Sequence, residues 1–244
     1  MTDAMSTKPF ILPFYALVDV SWSMMTPDKD GLTGIDAVNR IAPEVFDAIM
    51  KQSIAADLVR FGMLDFSGEV QVVLPLMDPR DIRKGSLPTI EARTTGTSYM
   101  SAFLTMRAQI EADVQQLRTS GFRIQRPAVF FLTDGEPTDT ESDWMEAFDQ
   151  LRAPDFDARP NVVPFGIRDA KKEILDRIAA HKGPQKSFVA RELSATEAIQ
   201  RMIELLIGSI IATANTVGAV GTAGGFQPPI QEEDDDVWLM DDDD

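Results

Sequence analysis

The chain has no cysteine and only one histidine, His181. A disulfide framework, a thiolate nucleophile and a cysteine-ligated zinc site are therefore excluded, because each needs a thiol. Cationic side chains are scarce as well: 23 Lys and Arg stand against 39 Asp and Glu, for a formal net charge of -16 in 244 residues. That balance disfavours nucleic acid, whose phosphates are held by cationic patches, and favours metal cations and basic partners. No apolar run reaches the roughly 20 uninterrupted residues of a spanning helix, although residues 203–214 come nearest. The leading MTDAMSTKPFILPF carries an acid, lacks a basic first segment and has a proline inside its short apolar run, unlike a signal peptide. The expectation is a cytoplasmic protein that binds neither nucleic acid nor membrane.

What is present is globular in composition, 44% hydrophobic and 25% charged, and the length suits one α/β domain with a tail. Residues 1–9 read as an extension and 10–212 as the domain. Residues 213–231 read as a flexible Gly/Ala linker, and 232–244 as an acidic tail. Nine carboxylates crowd into that tail, at Glu232, Glu233, Asp234 to Asp236 and Asp241 to Asp244. They surround Val237-Trp238-Leu239-Met240, which is either a short docking motif or part of a solvated tail.

Apolar runs alternate with amphipathic stretches along the domain. Phe10 to Asp19 reads as a central strand that delivers polar groups at its carboxyl end. Residues 35–51 follow at helical spacing, with Pro43 inside the pattern. Residues 60–66 and 70–76, joined by Ser67-Gly68-Glu69, read as a hairpin at one side of the sheet. A helix is expected from Thr97 to about Leu117, with Met100, Phe103, Leu104, Ile110, Val114 and Leu117 inward. PAVFFLT, ending at Thr133, is the most strand-like run. Further helices are expected near 142–151, 170–181 and 194–212, and further strands near 162–167 and 187–190. Such alternation implies a mostly parallel sheet with helices on both faces and one antiparallel edge hairpin. Ligands of open α/β sheets bind beyond the carboxyl ends of the strands, where Asp19 and Asp134 both fall.

A hard divalent cation such as Mg²⁺ takes oxygen ligands in near-octahedral geometry and keeps several waters that a partner replaces. Asp19, Ser21 and Ser23 offer a carboxylate and two hydroxyls from one loop. Their alternate spacing aims all three inward while Val20 and Trp22 point away. Thr97 and Asp134 supply further oxygens from neighbouring loops, directly or through water.

Three separated pieces, Asp19-Val20-Ser21-Trp22-Ser23-Met24, Thr95-Gly96-Thr97-Ser98 and Leu132-Thr133-Asp134-Gly135, resemble in order and element context the metal-ion-dependent adhesion site of von Willebrand factor A domains. The resemblance covers residues 10 to 212. It implies a three-layer Rossmann-like fold and a metal site (Mg²⁺, or Mn²⁺ or Ca²⁺) with an open position completed by an acidic side chain of a protein partner. Leu12-Pro13-Phe14-Tyr15, Asp36-Ala37-Val38-Asn39 and the stretch from Leu132 to Asp139 with Trp144 are further similar to stand-alone bacterial proteins of tellurium-resistance and stress-response clusters, often called TerY-like. That likeness implies a cytoplasmic module working with kinase-like or phosphatase-like partners. Trp22 stands where Gly is frequent, although integrin β domains carry Tyr there. Thr95 replaces the first of a common Gly-Gly pair, removing backbone freedom before Thr97.

Singly, these residues are ordinary turn and cap residues, and the joint pattern carries the metal reading. Trp22, Glu136 and Trp238 are the partner-facing candidates, while Glu136, Asp139 and Asp143 read as solvated loop charges ahead of groups that support the site or face a partner. Asp65, inside an apolar strand, either buttresses the site or faces water at an edge. His181 reads as a surface or capping residue. The sequence is expected to belong to a binding module and not an enzyme. A haloacid-dehalogenase-type phosphatase needs a second Asp where this chain has Ser21, and neither a phosphate-binding Gly-Lys loop nor a Gly-x-Ser-x-Gly elbow is present. Such a phosphatase, and a regulatory subunit binding chiefly through its acidic tail, are the alternatives.

Overall fold

The run FILPFYALVD is buried from its second residue to its last, a pattern that requires a central strand covered on both faces. A computed structural model describes residues 9–82, 87–93, 96–179, 187–190, 193–220 and 225–229. Thr95, His181, Trp238 and the acidic tail lie outside these residues. In chain order the elements are β1 (Phe10–Asp19), α1 (Gly34–Met50), α2 (Ser53–Leu58), β2 (Val59–Phe66), β3 (Val70–Met77), α3 (Tyr99–Thr119), β4 (Arg123–Ile124), β5 (Ala128–Thr133), α4 (Glu141–Arg152), β6 (Asn161–Ile167), α5 (Lys172–Ala179), β7 (Phe188–Ala190) and α6 (Ala195–Val220). Short 3-10 turns occupy Trp22–Met25 and Pro79–Asp81.

The sheet runs β3-β2-β1-β5-β6-β7, with β4 beside the start of β1. Every pairing is parallel except β2 with β3, the expected edge hairpin. Side chains alternate across the sheet. Leu12, Phe14, Ala16 and Val18 face α1, α2 and α6, while Tyr15 and Leu17 face α3, α4 and α5. A slip of β1 by one residue would exchange these two sets, so the register is strongly held.

Several boundaries differ from the sequence expectation, each for a local reason. Helix α3 starts at Tyr99 because Ser98 is its cap, accepting from the Ser101 N–H. Its buried stripe is Tyr99, Ala102, Phe103, Met106, Ile110 and Val114, at spacings of three and four. Leu104 falls one step round from Phe103 and is exposed instead. Pro43 sits inside α1 without ending it. The helix expected to stop near 212 runs to Val220, burying Thr213, Ala214 and Val217. Residues 213–220 are therefore not linker. The chain is also held at 225–229: Gln227 N–H donates to Thr213 Oγ1 at 3.0 Å, Ser209 Oγ donates to the Gln227 carbonyl, and Phe226 meets Phe14 at 6.4 Å between ring centroids.

Among the described residues, α6 is the one helix long and apolar enough to cross a membrane. Its apolarity belongs to a core helix. Ile199, Ile203, Leu206, Ile210 and Val217 recur at helical spacing and pack into the cluster shared with α1 and the sheet.

Candidate metal centre

Parallel pairing sets β1, β2 and β5 with their carboxyl ends on one edge, in register Asp19↔Phe66 and Val18↔Leu132. Asp19 thus ends β1 one strand away from Thr133, the last residue of β5, with Asp134 immediately after it. Beyond Asp19 the chain is pinned by its backbone: Val20 N–H donates to the Phe66 carbonyl at 2.8 Å, and Arg93 N–H donates to the Val20 carbonyl at 2.9 Å. Val20 and Met24 are then buried in the core, whereas Trp22 is 66% exposed. The intervening Ser21 and Ser23 face the other way, toward Asp134.

The expected alternation is therefore what the structure shows. Ser21 and Ser23 hydroxyls lie 2.9 Å apart. Ser23 Oγ donates to Asp134 Oδ1 at 2.9 Å, with Ser21 Oγ 3.3 Å from the same oxygen. Ser21 N–H donates to Asp19 Oδ1 at 2.9 Å, and Thr133 Oγ1 donates to Asp19 Oδ2 at 2.9 Å. Tyr99, buried at the head of α3, places its hydroxyl 3.1 Å from Thr133 Oγ1 and donates to the Gly135 carbonyl at 2.9 Å.

Thr97 joins by a different route. It is buried, and its backbone pairs with the loop after β5: Thr138 N–H donates to the Thr97 carbonyl at 2.9 Å, and Thr97 N–H lies 3.3 Å from Thr138 Oγ1. Among the described contacts no hydrogen bond links its hydroxyl to the two carboxylates. Gly96, at φ 120°, supplies the conformation that a side chain resists. The freedom lost by Thr95 is thus retained one residue later.

The neighbouring acids separate in role. Asp139 is not a solvated charge: it caps α3, accepting from Met100 N–H and Ser98 Oγ at 2.9 Å each. Asp143 pairs with Thr140 at the cap of α4. Glu136 is exposed and salt-bridged to Lys171 at 2.8 Å. Asp65 does not face water. It is buried and ion-paired with Arg93, whose backbone holds Val20, so it buttresses the loop that carries the site. Asn39 adds a second brace by bonding Ile90 in both directions, at 2.9 and 2.8 Å.

Two residues of the site escaped the sequence reading. Thr133 had a signal, being the polar end of an otherwise apolar buried strand next to Asp134. Arg168 had none. It follows β6 and sends its guanidinium back to Ser23 and Thr26, with Nη1 3.5 Å from Asp134 Oδ2.

Burial pushes the Asp19 carboxyl up to about 6, and the charge of Asp134 adds to the rise; bonds from Ser21 and Thr133 oppose it. Burial also raises Asp134, against the pull of Ser23 and Arg168. Two carboxylates that burial and each other disfavour are stabilised by a cation placed between them. Asp134 Oδ2 is buried without a hydrogen bond, and every side-chain donor in the group is a hard oxygen, as Mg²⁺ or Mn²⁺ requires. Among the described residues no group of three or more His, Cys, Asp or Glu is placed to hold a metal ion. An ion held there would take hydroxyl or water oxygens beside the two carboxylates, and the residues fit a lightly charged, open divalent site.

Sequence comparison with curated proteins gives no match. Solved structures sharing the fold include a von Willebrand factor type A protein from Catenulispora acidiphila, at 15% identity and TM-score 0.58 over 82% of this chain and 43% of that one. Proximal thread matrix protein 1 from the mussel byssus, with a zinc-occupied MIDAS motif, aligns at 18% identity and TM-score 0.58 over 83% and 48%. The pilus adhesin SpaC from Lactobacillus rhamnosus GG aligns at 17% and 0.61 over 84% and 31%. This chain spans less than half the length of each, and at such identities the likeness is one of fold. The family model for the von Willebrand factor type A domain matches residues 14–202, and with most of its length covered the chain belongs to that family.

Proposed function

We propose that this chain is a divalent-metal-dependent protein-interaction module. Asp19, Ser21, Ser23, Thr97 and Asp134 hold Mg²⁺, with Mn²⁺ or Ca²⁺ as substitutes, and an acidic side chain of the partner takes the open position. The observation that carries this reading is the convergence of two buried carboxylates and two serine hydroxyls on one edge of the sheet, with one oxygen of Asp134 left without a hydrogen bond. Domains of this family act in protein–protein interaction and adhesion, often through a metal, and are generally not enzymes. Trp22 stands 66% exposed on the turn beside the ligands and supplies apolar contact at the rim, the kind of aromatic anchor that dominates interfaces. Glu136 forms another part of that rim. The tail around Trp238 is a second contact for a basic surface of the same partner.

Phosphatase chemistry is disfavoured by Ser21, whose hydroxyl is engaged with Ser23 and Asp134. A hydroxyl in that position is no general acid near neutral pH. The cellular setting we propose is a cytoplasmic stress-response assembly of the TerY-like kind with kinase-like or phosphatase-like partners, supported by the motif resemblance.

The test is affinity capture with full-length protein in Mg²⁺ and in chelator. The expected partner is retained in Mg²⁺, lost in chelator, and lost from Asp19→Ala in both. Because residues 225–229 are packed on α6, the tail is tested by removing 230–244. Loss of capture with the metal response intact would move the main contact to the tail.

A further inference from the structure

We propose that Arg168 is the internal counter-cation of this metal site and sets how tightly the site holds its ion, an inference that rests on the metal reading above. Among the described residues Arg168 is the one non-glycine with positive φ, at 53°, a left-handed conformation that side chains disfavour. Something must hold it there, and its guanidinium contacts do. Nη2 donates to the Thr26 carbonyl at 2.7 Å and Nη1 donates to the Ser23 carbonyl. The same Nη1 lies 3.5 Å from Asp134 Oδ2, an oxygen with no hydrogen bond of its own. The carboxylate of Asp134 is fully buried and the arginine side chain about one-fifth exposed, at 21%. Arg168 is placed by the sheet, since β6 pairs with β5 and both chains leave on the edge where Asp134 emerges.

This geometry has two consequences. In the absence of metal the guanidinium offsets part of the charge of a buried carboxylate that Asp19 repels. It does so at charge-contact distance, so an entering ion has no hydrogen bond to Asp134 Oδ2 to break. Once a divalent ion binds Asp134, the same guanidinium is a like charge beside it. Arg168 therefore stabilises the metal-free site at the expense of the loaded one, and keeps the ion exchangeable. Ser23 lies in the turn that carries Trp22 and Thr26 follows it, so the arginine also ties that exposed side chain to the state of the site.

The experiment is Mn²⁺ titration of full-length protein by calorimetry, comparing wild type with Arg168→Gly, Arg168→Gln and Arg168→Lys. Glycine suits the backbone at this position, so that variant keeps the fold while removing the charge. Arg168→Gly and Arg168→Gln are expected to bind Mn²⁺ at least about fivefold more tightly, the scale of removing one unit charge near the ion. Arg168→Lys is expected to stay within about twofold of wild type on the same grounds. Wild-type binding that the Gly and Gln variants merely match or weaken overturns this inference and leaves the metal site standing. No Mn²⁺ binding by any of the four proteins overturns both. A second readout is thermal melting in chelator: Arg168→Gln is expected to lower the midpoint more when Asp134 is intact than in an Asp134→Asn background. Equal losses in the two backgrounds would make the arginine a packing residue only and overturn the proposal.

Discussion

Two buried aspartates sit on adjacent strands at the same edge of the sheet, and their neighbours give them opposite uses. Asp65, near the end of β2, and Asp19, at the end of β1, are both raised to about 6 by burial. For Asp65 the next influence is Arg93, which pulls the value back down and closes the pair. For Asp19 the next influence is Asp134, which pushes it further up. Burial of both therefore produces a brace in one place and an unmet demand for positive charge in the other. The brace serves the site, because Arg93 also holds the Val20 carbonyl at the root of the Asp19–Ser23 loop.

The largest effect expected from breaking this contrast is on stability. Asp65→Ala leaves the half-buried Arg93 guanidinium without its carboxylate, and should cost about 2–3 kcal/mol at pH 7, somewhat below the range for fully buried pairs because Arg93 is partly exposed. Denaturant unfolding in chelator checks it. The second effect is on metal binding as a function of pH. Asp19 is protonated in the metal-free fold below about 6, so protons compete with the ion there. Mn²⁺ affinity should be flat above pH 7 and fall by up to about tenfold per pH unit below 6, as read by titration at a series of pH values. Folding stability without metal has the linked sign. A carboxyl raised in the fold binds more protons there than in the unfolded chain between about 4 and 6, so ionisation of Asp19 lowers stability as pH rises through that window. The smallest effect is the mirror of the first: Asp19→Asn, measured by melting in chelator, should leave stability unchanged or improve it by up to about 1 kcal/mol, since it removes a repelled charge while retaining a polar side chain.

The layers, the edge hairpin and the strand-end location of the site were legible in the sequence because they rest on local periodicity and on residues that turn the chain. β1 and β5 read as buried apolar runs, and the 19, 21, 23 spacing already implied one inward-facing set. What stayed hidden was long-range or helical in disguise. Arg168 approaches Asp134 from the neighbouring strand but reaches back to Ser23, 145 residues away in the chain, and no local pattern marks an arginine as the one that does so. Asp139 looked like any loop acid, and its capping role exists only once α3 is docked against the loop after β5. Residues 213–220 looked like linker because Gly, Ala and Thr carry little amphipathic signal. They are nonetheless helical, since α6 continues past the domain edge and buries Ala214 and Val217. The five ligand candidates divide accordingly: four meet through their side chains, whereas Thr97 is brought alongside by backbone pairing with Thr138.

The central claim is that Asp19 and Asp134, with their serine hydroxyls, form one divalent-cation site. Calorimetric titration of the chelator-treated full-length protein with Mg²⁺ and Mn²⁺, beside Asp19→Ala and Asp134→Ala, tests it most directly. The account predicts one ion per chain for the wild type, with affinity reduced by about 100-fold or more in each variant, at least the loss seen when mere supporting residues of a metal site are removed. Wild-type binding that survives either substitution undiminished, or no binding by the wild type, would contradict it.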